Sequence, residues 1–236
     1  MAQKKLLRFS QIKSFKNVLE YPENMAGKWK DFFNNSNPLI LELACGRGEY
    51  ATGLAAMHPN NNYLGVDVKG NRIYLGAKKA LDESLNNAAF LRTQIEMIAN
   101  YFAPAEVDEI WITFPDPQLR WSKAKHRLTH PGFLRAYRKI LKPTGVIHLK
   151  TDSPQLYEFT KTVIDLYKLS IVKDVQDVYA LEQIPPELQI KTHYEKLDIA
   201  KSNRIHYLQF QITNPLPVEL DETLRTITKH EIQKER

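Results

Sequence analysis

LILELACGRGEY, residues 39–50, is the stretch that decides the fold. Leu39-Ile40-Leu41-Glu42-Leu43 follows Pro38 and is apolar apart from one acid, so it reads as a short buried strand. Ala44-Cys45-Gly46-Arg47-Gly48 is too rich in glycine for a helix interior, and the strand must end in a turn. Glu49 to Met57 then has helical character and stops at His58-Pro59. In open parallel sheets, ligands bind beyond the carboxyl ends of the strands, which is where this turn belongs.

The same alternation continues outward. Tyr63 to Val68 is a second strand with Asp67 near its end, and Ile73, Ala77, Ala80 and Leu81 recur at helical spacing. Ala88 to Arg92 reads as a strand, Ile95 to Phe102 as a short helix, and Glu109 to Phe114 as a strand meeting Pro115-Asp116-Pro117. Phe133 to Leu141 is helical, Lys142-Pro143-Thr144-Gly145 is a turn, Val146 to Lys150 is a strand, and a helix runs from Pro154 to about Lys168. Ile205 to Ile212 alternates Leu208, Phe210 and Ile212 against Tyr207, Gln209 and Gln211, as a half-buried strand does. This order calls for an α/β fold, a parallel sheet with helices on both faces.

Charge is segregated along the chain. Residues 1–16 carry Lys4, Lys5, Arg8, Lys13 and Lys16 without an acid. Residues 118–142 carry Arg120, Lys123, Lys125, Arg127, Arg135, Arg138, Lys139 and Lys142, again without an acid. The formal net charge is +6, so the remainder of the chain is acidic. Trp121, Phe133 and Tyr137 interleave with the second basic stretch and offer stacking surfaces, a pattern suited to a polyanion such as nucleic acid. One cysteine excludes an internal disulfide and a paired-thiolate zinc site. No apolar run reaches the ~18 residues of a membrane span, and the basic N-terminus has no continuous apolar stretch behind it, so a cytoplasmic protein with no membrane or metal partner is expected.

Gly46-Arg47-Gly48-Glu49-Tyr50-Ala51 also satisfies the dinucleotide pattern GxGxx(G/A), with Asp67 at a suitable distance. A pyrophosphate there would meet the carboxylates of Glu42 and Glu49, whereas the ammonium and sulfonium of S-adenosyl-L-methionine would be attracted by them. Asp67 stands where it can accept bonds from two ribose hydroxyls. Arg47 favours a phosphate, and both ligands remain open at this point. Phe114-Pro115-Asp116-Pro117 sits at the same sheet edge, with two prolines fixing the backbone around one carboxylate.

LELACGRGEY (41–50), YLGVDVKGNR (63–72), FPDP (114–117), HRL (126–128), HLKTD (148–152) and THYEKL (192–197) occur in this order and spacing. On these motifs the chain, from about residue 38 to 212, resembles the bacterial tRNA (guanine-N7-)-methyltransferases. The resemblance implies a doubly wound, Rossmann-like class I S-adenosylmethionine-dependent methyltransferase fold with a mostly parallel, seven-stranded sheet. Residues 1–37 read as a basic N-terminal extension, 38–215 as the methyltransferase domain and 216–236 as a charged C-terminal tail. The resemblance also implies that S-adenosyl-L-methionine is held by Glu42, Gly46, Gly48 and Asp67, with Asp116 and Gln94 aligned to further cofactor positions. Asp116 aligns with the catalytic acid, and Arg120, Asp152, Thr192, His193, Tyr194 and Glu195 align with substrate positions. The implied substrate is tRNA, methylated at N7 of guanosine 46 in the variable loop, with the monomer or homodimer question open.

Two departures stand out. Gln94 occupies a position usually held by an acid, and Gln118-Leu119-Arg120-Trp121 replaces the usual Trp-Pro and dense basic run. Asp116, Asp152 and Glu195 are equal candidates for gripping the guanine. Three other readings compete. A nicotinamide oxidoreductase leaves FPDP and the basic stretches unused. An exocyclic-amine methyltransferase expects an aromatic residue where Gln118 stands. A catalytically silent RNA-binding module has no need of Glu42, the glycine loop and Asp67 together.

Overall fold

The computed structural model describes residues 2–197 and 204–234. Among them, one sheet is built from β1 (Val18–Glu20), β2 (Leu39–Leu43), β3 (Asn62–Asp67), β4 (Ala88–Arg92), β5 (Val107–Thr113), β6 (Leu141–Thr151), β7 (Ser170–Val175) and β8 (His206–Gln211). The helices are α1 (Ala2–Gln11), α2 (Trp29–Phe33), α3 (Glu49–Met57), α4 (Gly70–Asp82), α5 (Pro131–Ile140), α6 (Pro154–Leu166), α7 (Pro186–Gln189) and α8 (Leu220–Lys234). The strand order is β1-β4-β3-β2-β5-β6-β8-β7. All pairings are parallel except those of β8 with β6 and β7. The order reverses between β2 and β5, so the loops leaving these two strands emerge side by side.

The central strands are apolar on both faces because both are covered. One face carries Leu41, Leu43, Ile110, Ile112, Leu149, Leu134 and Tyr137; the other carries Ile40, Tyr50, Leu54, Ile73, Phe90 and Trp111.

The sheet has eight strands rather than the expected seven. The extra one is β1, whose Val18, Leu19 and Glu20 pair in parallel with Phe90, Leu91 and Arg92. Of residues 1–37, read as an appendage, Val18–Glu20 therefore extend the sheet, and Trp29, stacked on Phe102, and Phe33 are buried in the core. Lys4 and Lys5 lie outside the residues whose side chains are described. The charged segment after residue 215 folds as α8. Leu216 and Leu224 are buried, and Asp221 accepts a hydrogen bond from Arg135 Nη1 at 2.9 Å.

The turn expected at residues 142–145 is a bulge at the start of β6: Val107 pairs with Leu141 and Glu109 with Val146. Phe133 and Tyr137 do not offer stacking surfaces to a polyanion. They sit four residues apart on the buried face of α5. Tyr207 is likewise buried, because both faces of β8 are covered.

Candidate active site

The sheet's carboxyl edge carries the sequence motifs in adjacent positions. β2 runs into Ala44 and Gly46, with positive φ of 54° and 56°, and Gly48 (φ 69°) opens α3. The Asp67 carboxylate, at the end of β3, fastens this turn. It accepts from Gly46 N–H at 3.0 Å and from Lys69 N–H at 2.8 Å, and is 7% exposed. A Cβ at Gly46 would make only ordinary contact, whereas one at Gly48 would lie 2.4 Å from the Phe90 ring. Glycine at 48 is therefore needed for packing α3 against β4.

Glu42 is 3% exposed, and its carboxyl group points at protein. Oε2 accepts from Ala51 N–H at 2.8 Å and Oε1 from the Thr113 hydroxyl at 3.2 Å. Burial, reinforced by the nearby Glu49, pushes its pKa up to about 8 against the opposing hydrogen bonds. The residue secures the first turn of α3 and ties β2 to β5, rather than lining an open cleft.

A cleft of about 580 Å³ opens beside Asp67, lined among others by Ala44, Gln94, Glu96, Gln118, Lys123 and His126. Its polar lining suits an adenosine: a strand-end carboxylate to accept from ribose hydroxyls, and both an amide and a carboxylate on the turn that follows β4. Glu96 was missed in the sequence because it stands two residues beyond the motif position taken by Gln94.

The FPDP turn leaves β5 next to the glycine loop. Phe114 and Gln118 both have φ of 48°. Asp116 is exposed, and its Oδ1 accepts from Gln118 N–H at 3.0 Å, which leaves Oδ2 for another donor. Arg127 supports the turn from behind at 2% exposure. Its Nε donates to Pro117 O at 3.0 Å, its Nη2 to Gln118 O at 3.3 Å, and its guanidinium lies 4.5 Å from the centre of the Phe159 ring. In the sequence Arg127 counts within the basic stretch suited to a polyanion, since nothing local marks it as buried. Arg120 is exposed at the start of the 3-10 turn Trp121–His126, and Trp121 itself packs beneath Arg225 and Lys229 of α8.

Asp152 follows the end of β6, beside the FPDP turn, because Lys150 pairs with Thr113. The 192–195 segment crosses to the glycine loop. His193 N–H donates to Glu49 Oε1 at 3.1 Å, and the position of a Cβ at Gly46 lies 3.6 Å from Tyr194 Cε2. Arg72 lies 5.3 Å from the centre of the Tyr194 ring. Thr192 is buried and its hydroxyl accepts from Glu195 N–H at 3.0 Å. Glu195 turns inward, toward Lys150 and Tyr179. The edge thus brings together Gly46, Asp67, Tyr194 and the Asp116 turn, while the Glu42 and Glu195 side chains point into protein and Gly48 packs against Phe90. Among the described residues there is no group of three or more His, Cys, Asp or Glu that could hold a metal, and no helix long and apolar enough to cross a membrane.

Residues 36–208 match the family model described as "Putative methyltransferase". The chain is 43% identical over 221 residues to the tRNA (guanine-N(7)-)-methyltransferase of Bacteroides thetaiotaomicron, covering 90% of this chain and 87% of that one. It is 43% identical to the protein of the same name from Christiangramia forsetii, covering 89% and 99%. The 16S rRNA methyltransferase KamB shares the fold, with a TM-score of 0.59 over 84% of this chain and 99% of that one at 13% identity. A solved antibiotic-related methyltransferase gives 0.58 over 78% and 91% at 16% identity. With strand order, glycine loop and FPDP turn in place, these relationships make the chain a member of the tRNA (guanine-N(7)-)-methyltransferase family.

Proposed function

We propose that the protein transfers the methyl group of S-adenosyl-L-methionine to N7 of guanosine 46 in the tRNA variable loop, in the cytoplasm. The observation that carries this reading is the emergence of the glycine loop and the FPDP turn side by side from β2 and β5. The methyl donor, when bound, supplies an electrophilic methyl group on sulfur. Asp67 and Gly46 would hold its ribose end and Gln94 and Glu96 its base, with Glu42 and Gly48 acting indirectly by fixing α3 beneath the loop.

Guanine N7 has an in-plane lone pair and no hydrogen, so its attack requires no general base and leaves the ring cationic. Alignment of N7, methyl carbon and sulfur is the main task of the site. Asp116, with Oδ2 open, accepts from the guanine N1–H and exocyclic amine and stabilises the developing positive charge. Arg120, Asp152 and the Thr192–Tyr194 segment border the base. N7 faces the major groove, which is deep and narrow in A-form RNA, so a non-helical target such as the variable loop fits this chemistry.

Incubation with labelled methyl donor and tRNA transcripts, followed by nucleoside mass spectrometry, tests the assignment. The expected product is 7-methylguanosine, lost when guanosine 46 is replaced. Methylation on an exocyclic amine, or on N7 at a different position, overturns it.

A further inference from the structure

We infer that Glu195 is the tether of the 192–195 segment rather than a guanine-contacting acid, and that Lys150 is the positioning residue that holds this segment against the glycine loop. This rests on the reading above that the segment borders the substrate.

Lys150 lies on β6 and is 0% exposed. An ammonium has three hydrogen-bond donors. Here they go to Leu188 O at 2.9 Å, Ile190 O at 3.1 Å and Glu195 Oε2 at 3.0 Å. The other carboxylate oxygen of Glu195 accepts from the Tyr179 hydroxyl. The Glu195 side chain is 4% exposed. Both its oxygens are therefore engaged inside the protein. Gripping guanine would take a carboxylate away from a buried ammonium, which is costly in a medium that cannot solvate it.

The connection onward is continuous. Glu195 N–H closes a turn on the Thr192 hydroxyl, and that turn presents His193 N–H to Glu49 and the Tyr194 ring to Gly46. Lys150 also holds the end of α7 through two carbonyls, so one ammonium fixes residues 188–195 from beneath. The Tyr50 and Phe114 rings, each centred 5.6 Å from Nζ, complete its enclosure. Burial lowers the Lys150 pKa, and Glu195 opposes that shift. Of the three acids left equal by the sequence, Glu195 is thereby assigned to the protein interior.

The test is a double-mutant cycle on tRNA methylation by the full-length enzyme, with Lys150→Met, Glu195→Met and the combined variant. Each single change is expected to raise the KM for tRNA by about tenfold with little change in kcat, and the double variant to be no worse than the worse single. Effects that multiply, or a fall in kcat confined to Glu195→Met, overturn the tether. Tyr179→Phe removes one bond to Glu195 at a part-exposed site that folding tolerates. It should raise the KM by about threefold, and an unchanged KM overturns the proposal. Amide exchange over residues 192–197 reports on the tether without any substrate. It should accelerate by at least about tenfold in Lys150→Met while β2 and β5 stay protected, and equal rates overturn the tether. A wild-type enzyme that leaves tRNA unmethylated would instead overturn the substrate assignment.

Discussion

Glu42 illustrates how a motif acid can serve a cleft without facing it. Its carboxyl group is held between Ala51 N–H and the Thr113 hydroxyl, and its pKa is raised from 4.5 to about 8, chiefly by burial. A folded-state pKa above the unfolded value means the native state binds more protons between these limits. This group therefore lowers stability as pH rises from about 4.5 to about 8. Glu42→Gln removes the charge that burial disfavours, and thermal unfolding across pH 5 to 9 should be flatter in the variant, with a gain at the alkaline end. A variant with the wild-type slope would contradict this account. At Asp116 the expected effect is kinetic. Asp116→Asn should lower kcat by about a hundredfold while the S-adenosylmethionine Kd, measured by calorimetry, stays within about threefold.

At the scale of elements, two loops at the carboxyl edge of the sheet are each held by a buried cation that bonds backbone carbonyls. Lys150 takes Leu188 and Ile190, and Arg127 takes Pro117 and Gln118. A lysine at 127 cannot reproduce the guanidinium fork or its stacking on Phe159. Arg127→Lys should lower kcat/KM for tRNA by about tenfold and stability by about 1–3 kcal/mol, read from steady-state kinetics and denaturant unfolding. Neither cation was legible in the sequence. HRL and HLKTD identified the family, but burial of Arg127 and Lys150 depends on partners outside their own motifs: Phe159 for one and Glu195 for the other. By contrast, β2, α3 and β4 were legible because apolar runs, glycine and the His58-Pro59 stop are local signals. β7 was not, since Ser170–Val175 leaves Ile171 and Val172 exposed and gives no alternation. β1 was not, because three residues carry too little pattern and become a strand only by pairing with β4.

Across the whole molecule, the basic stretch of residues 118–142 does several jobs. Arg127 is internal, Arg135 binds Asp221, and Lys142 binds Asp108 at 2.5 Å, whereas Lys123 lines the cleft and Arg120 and Lys125 are exposed close to it in the sequence. RNA affinity drawn from such phosphate contacts must be screened by salt. Between 50 and 200 mM salt the tRNA KM should rise by about tenfold or more, while S-adenosylmethionine affinity changes by less than about twofold. A KM insensitive to salt would mean that base contacts dominate binding.

Pairing of β1 with β4 also constrains the order of events on the ribosome. Val18 meets Phe90, so β1 waits for 72 further residues before its partner exists. At ordinary elongation rates this is a delay of roughly 4–14 s. During that interval the apolar groups of Val18 and Leu19 lack the strand they pair with. Slowing translation between the codons for residues 20 and 88 would lengthen that interval.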